Sequence, residues 1–369
     1  MKNKIIAFGF ILLLASFLFA AFILEPREYS AMENRYLKQA PKFTVKSLLS
    51  GEYMEKVEAY LADQVMFKDG FVSLKADIEK LLHKKGSNGV YFGKNHRYIQ
   101  VYDPDGDTLK DNLSFIKNFV SASKSHAPVT FFLAPNVQSV YPEDVPSHVL
   151  MADADKDRQT VKETLKEAHF VDPTELLQEH KDEYIYFRTD HHWTMRGAYY
   201  GYQALGEELG YSVMDAEDYS VEYKSEDFLG SLYSKAPLTS VKKDSIEVFS
   251  NVLGKYRVSF EDGKHVNTLF MNSKLHTKDQ YTYFLDGNHS FITIQSNAQT
   301  GKRALVFKDS YSHVLLPFLA DQYDYIDVID LRYYRGDIKT MVEAGGYNDI
   351  LMIYNMDFLA TDENFIWLQ

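Results

Sequence analysis

Tyr186-Phe187-Arg188-Thr189-Asp190-His191-His192-Trp193-Thr194 is the stretch from which the rest of the chain is read. An apolar, β-prone run from Tyr184 to Phe187 leads into an acid and two imidazoles. A helix is expected directly afterwards. Thr194 suits its N-cap, Ala198, Tyr202, Leu205 and Leu209 recur at helical spacing, and Gly210 stops the pattern. The acid and imidazoles therefore fall where a strand ends and a helix begins, the edge at which open α/β sheets bind ligands. An imidazole exchanges protons near neutral pH, and a carboxylate beside it fixes its tautomer and stabilises its charged form. The stretch supplies a base and an orienting acid but no nucleophile.

The nucleophile is expected downstream, in Ala304-Leu305-Val306-Phe307-Lys308-Asp309-Ser310-Tyr311-Ser312. This apolar strand ends in a hydroxyl residue, and Val314 to Leu319 could continue as a helix kinked at Pro317. A serine on such a turn exposes its hydroxyl, and the backbone N–H groups of Ser310 and Tyr311 are the default donors to an oxyanion formed there. Ser310, His192 and Asp190 would make nucleophile, base and orienter, since triads are recognised by role and geometry rather than chain order. Ser312 is the alternative nucleophile, and His313 could cap or pack.

At these residues the chain resembles the DHHW family of bacterial surface proteins, related to the alginate O-acetyltransferases and more distantly to the SGNH hydrolases. The alginate enzymes carry Asp-x-His-Trp, matched here by Asp190, His192 and Trp193, and a catalytic serine after a later strand, matched by Ser310. Acid and base precede the serine, the reverse of ordinary SGNH hydrolases. Glu33-Asn34-Arg35, Tyr91-Phe92-Gly93-Lys94, Phe228-Leu229-Gly230-Ser231, Phe284-Leu285-Asp286-Gly287-Asn288-His289 and Asp330-Leu331-Arg332 extend the likeness from about residue 30 to the C-terminus. Asp309-Ser310 resembles the Gly-Asp-Ser form of serine hydrolases with Lys308 in the place of glycine, a departure that bears on the tightness of the turn.

The resemblance implies an SGNH-like three-layer α/β fold and acyl-ester chemistry on a surface glycan. It also implies oxyanion donors from a glycine N–H and an asparagine amide, for which Gly287, Asn288 and Asn136 are candidates. Arg332 could hold a sugar hydroxyl or carboxylate, or form a salt bridge. Trp193 is a packed aromatic or a substrate platform, and His191 a structural or neighbouring contact. No cofactor is implied.

A metal site is the competing use of Asp190, His191 and His192. Adjacent histidines at a strand end would point in different directions, so one motif does not readily give both to one ion. Asp103, Asp105 and Asp107 could add carboxylates, but Pro104 and Gly106 make a surface turn of that run.

Composition narrows the classes. Formal net charge is −12, which leaves no basic field for general nucleic-acid binding. Aromatics make up 15%, with 27 Tyr and 25 Phe, enough for sugar stacking although core packing accounts for most of them. Ile5 to Leu24 form 20 uncharged positions, long enough to span a bilayer as a helix, with Lys2 and Lys4 before them. A single-pass anchor in a bacterial cell membrane with the rest of the chain outside is expected. A signal peptide cleaved near Phe19-Ala20-Ala21 is the alternative. Without cysteine, the outer domain has no disulfide and no thiolate metal site.

The expected organisation is a cytoplasmic N-terminus (1–4), a transmembrane segment (5–24), a stalk (25–50) and an extracytoplasmic domain (51–369). Val129 to Leu133 is an apolar run typical of a strand buried on both faces. His169 to Val171, Tyr184 to Phe187, Ala304 to Phe307, Tyr325 to Ile329 and Ile350 to Tyr354 are expected in the same mostly parallel sheet. Residues 211–300 alternate in short runs and are read as a β-rich insertion. Leu113 to Val120 and two segments within 53–82 are expected as helices, and residues 90–101 as a hairpin.

With Ser310, His192 and Asp190 as the candidate triad, the resemblance implies a serine-dependent O-acetyltransferase acting on a cell-surface or exported polysaccharide through an acetyl-enzyme. The acetyl donor and an integral-membrane acyltransferase would be partners. A carbohydrate acetylesterase and a non-catalytic glycan-binding or assembly protein are the alternatives.

Overall fold

The computed structural model describes residues 2–104 and 106–369, with the side chains of 2, 13, 14, 18 and 20–22 outside that description. The chain divides into two compact units, residues 1–88 with 233–241, and residues 89–232 with 242–369.

The first unit holds the helices Lys2–Ile23, Glu52–Gln64 and Lys68–Leu81. The last two match the helices expected within 53–82, with the break at residues 65–67. The apolar N-terminal segment is helical as expected of it. Among the described residues, no helix is long and apolar enough to cross a membrane.

The second unit is built on an eight-stranded sheet: β1 (Val129–Ala134), β2 (His169–Val171), β3 (Tyr256–Phe260), β4 (His265–Val266), β5 (Phe291–Ser296), β6 (Arg303–Lys308), β7 (Tyr325–Ile329) and β8 (Asp349–Asn355). Their order across the sheet is β4-β3-β5-β7-β6-β8-β1-β2. Strands β7, β6, β8, β1 and β2 run parallel, while β5, β3 and β4 extend the sheet antiparallel. Phe132 and Ala134 of β1, Ala304 and Val306 of β6, and Leu351 and Ile353 of β8 face one apolar layer, packed with Ala198, Tyr202 and Leu205 of the helix Met195–Leu209. Their neighbours Phe131, Leu133, Leu305, Phe307, Ile350 and Met352 face the other, with Leu113, Ile116 and Val120 of the helix Gly106–Ser123. Burial on both faces explains the uninterrupted apolar runs. The result is a mixed α/β fold with helices on both sides of a mostly parallel sheet.

One expectation is corrected. Tyr184 to Phe187 is not a strand of the sheet. It turns back on itself, with Phe187 N–H donating to His192 O, Thr194 N–H to Ile185 O, and a single antiparallel bridge between Tyr186 and Trp193. Its apolar residues signalled burial, which a buried hairpin satisfies as well as a strand. Residues 211–300 are rich in β-strands, as expected. Ser220–Phe228 and Asp244–Ser250 form their own two-stranded sheet, but β3, β4 and β5 complete the central one.

The helix Met195–Leu209 has the ends its sequence specifies. Thr194 Oγ1 accepts the N–H of Gly197, and Gly210 closes the helix in a left-handed conformation at φ 69°. After Ser310 the expected kinked helix is a 3₁₀ turn, Ser310–Val314, followed by one turn of α-helix, Leu316–Leu319. Pro317 lacks an N–H and fits only the first turn of a new helix. The hairpin of Val90–Phe92 and Tyr98–Gln100 forms as expected. Of the acidic run, Asp105 lies outside the described residues, and Asp107 sits in the first turn of the helix Gly106–Ser123.

Candidate active site

The parallel strands β1, β6 and β8 end at one edge of the sheet, bringing Asn136, Asp309-Ser310 and Asn355 to the same side. Asp309 joins two of these tips. Its carboxylate accepts the N–H of Tyr311 at 2.8 Å and that of Asn355 at 2.6 Å, and its own N–H donates to Ile353 O. Asn355 in turn donates its side-chain amide to Ala134 O at 3.1 Å. Burial, the larger influence, pushes the Asp309 carboxyl up to about 6 against those two hydrogen bonds.

The loop from Phe187 to Trp193 brings the acid and imidazoles to this edge. His192 Nε2 lies 2.7 Å from Ser310 Oγ, and His192 Nδ1 lies 2.5 Å from Asp190 Oδ1. These residues are 118 apart in the chain, yet they form one line of hydrogen bonds. Asp190 also accepts the N–H of His192 at 3.0 Å and of Ser231 at 2.7 Å. Burial works to raise its proton affinity. The His192 and His191 rings and these hydrogen bonds outweigh that and hold it well below the usual carboxylate range. The ionised acid then accepts Nδ1–H and leaves Nε2 to accept from the serine hydroxyl.

Gly230 allows this approach. A Cβ there would collide with the Cβ and Oδ2 of Asp190, so only glycine lets the 229–231 loop reach it. The loop is held by Gly230 N–H donating to Thr189 Oγ1 at 2.9 Å and by Lys278 Nζ donating to Leu229 O. Burial brings the Lys278 ammonium down to about 8. On the other side of the hairpin, the fully buried Asp244 accepts from Arg188 N–H, Thr189 N–H, Thr189 Oγ1 and Tyr184 Oη, at 2.5–2.8 Å. It supplies partners to backbone that has left the sheet.

The remaining sequence candidates separate. Tyr311 N–H is taken by Asp309, so it does not face an oxyanion in this arrangement. Asn136 is buried at the end of β1, its Oδ1 accepting from Asp357 N–H, with no partner for its Nδ2 among the described residues. Gly287 lies in a turn, φ 83°, with its N–H donating to Phe284 O. Asn288 is exposed, and its Oδ1 accepts from Arg332 at 3.0 Å and from Lys308 at 3.4 Å. Arg332 forms the salt bridge, two hydrogen bonds to Asp330 at 2.6 and 2.8 Å. The same carboxylate meets the fully buried Lys308, which contacts His313 Nε2 at 2.7 Å. Lys308 thus sits in a buried ionic cluster with Asp330 and His313, which is how a lysine fits the place of glycine.

Trp193 is fully buried and donates Nε1–H to Tyr311 O at 2.8 Å, tying the histidine loop to the serine turn. It is packed, not a sugar platform. His191 is partly exposed, with Nδ1 2.7 Å from Ser231 Oγ and its ring 3.8 Å from that of His192. Because the segment is a turn rather than a strand end, the two imidazoles converge instead of diverging. Asp190, His191 and His192 each offer a donor atom, all within 4.8 Å. Both nitrogens of His192 are committed to Asp190 and Ser310, so an ion bound through that ring would displace one of them.

Tyr281 was not singled out in the sequence. Its ring stacks on His192 at 3.8 Å and 7°, and its hydroxyl donates to Ser310 O at 2.9 Å. The signal was its place just before the Phe284–His289 stretch. A cavity of about 150 Å³ opens beside Ser310, lined by Gln100, His191, Asp309, Tyr311, Asn355 and Asp357 among others.

Residues 167–329 match the family model described as DHHW protein. No curated protein matches the chain. Among solved structures, a DHHW family protein from Eubacterium siraeum is 24% identical with a TM-score of 0.68, over 76% of this chain and 95% of that one. Bacillus cereus PatB1 is 20% identical with a TM-score of 0.63, over 73% and 97%. A second structure of PatB1, with a sulfonyl adduct, gives 20% and 0.62, over 75% and 96%. These likenesses show a shared fold.

Proposed function

We propose, on the premise that this chain belongs to the DHHW protein family, that it is a serine-dependent O-acetyltransferase acting on a cell-surface or exported polysaccharide. The observation that carries the reading is the hydrogen-bonded line Ser310 Oγ, His192 Nε2, His192 Nδ1, Asp190 Oδ1 at 2.7 and 2.5 Å. In this reading Ser310 Oγ attacks the carbonyl carbon of an acetyl ester and His192 Nε2 takes its proton. The donor's alkoxide leaves with that proton as the tetrahedral intermediate collapses to acetyl-Ser310. His192 then removes a proton from a glycan hydroxyl, which attacks the acetyl group and restores the serine. Asp190 stays ionised throughout and stabilises the imidazolium.

With Tyr311 N–H engaged, oxyanion stabilisation falls to Ser310 N–H and a side-chain donor. Asn136 Nδ2, at the same sheet edge and without a partner among the described residues, supports assigning that donor. A cavity of about 150 Å³ suits a short acyl group better than a long one. The reading includes an extracytoplasmic location, with 5–24 as the anchor. What supports this is the uncharged segment preceded by Lys2 and Lys4. An integral-membrane acyltransferase would supply the acetyl donor.

The test is release and transfer of acetyl from a chromogenic acetyl ester, with and without oligosaccharide acceptors, for the wild type and Ser310→Ala. Acceptor-dependent acetylation abolished by Ser310→Ala supports the reading. Release to water alone would make it an esterase, and turnover surviving the substitution would remove the serine mechanism. PatB1 has been solved with a sulfonyl adduct, and a sulfonyl fluoride is the matching covalent probe for Ser310.

A further inference from the structure

In the unit of residues 1–88 and 233–241, the helix Lys68–Leu81 is amphipathic in the wrong sense for a core helix. Its buried residues are Ser73 and Ala76. Phe71, Leu74, Ile78 and Leu81, three and four positions apart, point outward with exposures from 44% at Ile78 to 77% at Leu81. A helix that covers a protein core buries its large apolar stripe. Phe67 before the helix and Leu82 after it are 70% and 67% exposed and lengthen the patch. The Phe17 ring, on the apolar helix Lys2–Ile23, lies 5.9 Å from the Phe71 ring, so the stripe is continuous with that helix. Exposed lysines stand beside it: Lys75 and Lys80 on the helix, Lys84 and Lys85 just beyond.

Charge follows the same division. This unit carries 14 Lys and Arg against 10 Asp and Glu, a net of +4, whereas the other carries 26 against 42, a net of −16. Single exposed leucines need no explanation, but a continuous apolar stripe edged by lysines in the one cationic part of an acidic chain does.

From this juxtaposition we propose that the face formed by Phe71, Leu74, Ile78 and Leu81 rests on the surface of an anionic lipid bilayer. Its apolar side chains enter the boundary between headgroups and acyl chains, and Lys75, Lys80, Lys84 and Lys85 lie among the lipid phosphates. A bilayer is favoured over a protein partner by the net positive charge and by the continuity of the patch with an apolar helix. The contact adds a second lipid-facing surface beside the anchor proposed at 5–24 and does not rest on the acyl-transfer reading.

The chain has no cysteine, so single cysteines can be introduced by L74C, I78C and L81C in the full chain and labelled with an environment-sensitive dye. Leu150, 89% exposed in the other unit, gives the reference label through L150C. The chains are then bound to phosphatidylcholine vesicles with and without phosphatidylglycerol. The expected result is a blue shift and loss of aqueous iodide quenching at 74, 78 and 81 in anionic vesicles. Both effects should weaken in neutral vesicles or in the variant K75Q/K80Q/K84Q/K85Q, and be absent at 150. Labels that stay fully quenchable on anionic vesicles overturn the proposal. So does equal protection without lipid, which would mean a second copy covers the face. Protection that appears only when the membrane holds an integral protein also overturns it, in favour of a protein partner. The readout is independent of turnover, so Ser310→Ala must give the same shifts.

Discussion

Tyr281 lies flat on His192, ring centroids 3.8 Å apart and planes 7° from parallel, while its hydroxyl donates to the carbonyl oxygen of Ser310. One side chain thus spaces the proposed base from the serine turn. Tyr281→Phe keeps the stack and removes the hydrogen bond. The expected cost is about 1 kcal/mol of folding stability in urea unfolding, and the accompanying fall in acetyl turnover reports how far this bond holds the serine turn. Tyr281→Ala removes the stack as well and should lose considerably more.

Asp190→Asn leaves the shape of the site but removes the charge that fixes the His192 tautomer. Acetyl turnover should fall by about 10⁴-fold, the scale known for replacing the orienting acid of a Ser-His-Asp triad. A loss of less than tenfold would show that Asp190 does not orient the base. Because Asp190 is held well below the usual carboxylate range, its stabilising contribution is present above pH 3.8 and lost as pH falls below that.

Asp309 has the opposite sign. Burial raises it from 3.8 to about 6, so between those values the folded chain keeps a proton that the unfolded chain has released. Its contribution therefore makes the chain less stable as pH rises through that window. Urea unfolding of the wild type and Asp309→Asn across pH 3.8 to 6 checks this, and the variant should lose that component of the slope. Its turnover also reports how far the Asp309 link between Tyr311 and Asn355 holds the serine turn.

Gly230→Ala sets a methyl against Asp190. Either the 229–231 loop retreats and Asp190 loses the Ser231 N–H, or the acid shifts away from His192. Both outcomes lower turnover, and the overpacking should cost about 1–3 kcal/mol in chemical denaturation.

Thr194→Ala removes the N-cap of the helix Met195–Leu209 and, because Thr194 Oγ1–H also donates to the carbonyl of Tyr184 at 2.7 Å, a second hydrogen bond too. The expected loss is about 2 kcal/mol, the upper end for a cap, measured by urea unfolding. Thr194→Ser should restore most of it.

Residue order alone determined the local features. Thr194 and Gly210 set the ends of one helix because caps are made by neighbours in the chain. Apolar runs at 129–133, 304–307 and 350–354 marked strands buried on both faces because burial shows in composition. Asp190, His192 and Ser310 were legible as an acid, a base and an alcohol. Tertiary structure decided what those residues meet. Tyr184 to Phe187 read as a sheet strand because apolar side chains report burial and not hydrogen-bond partner. Asp244, more than fifty residues away, let the segment fold as a hairpin instead. Whether Ser310 and His192 touch, whether Tyr311 N–H is available, and why Gly230 has no side chain all depend on distant segments converging. No periodicity in a single chain records such convergence, because it follows from packing around a shared sheet edge.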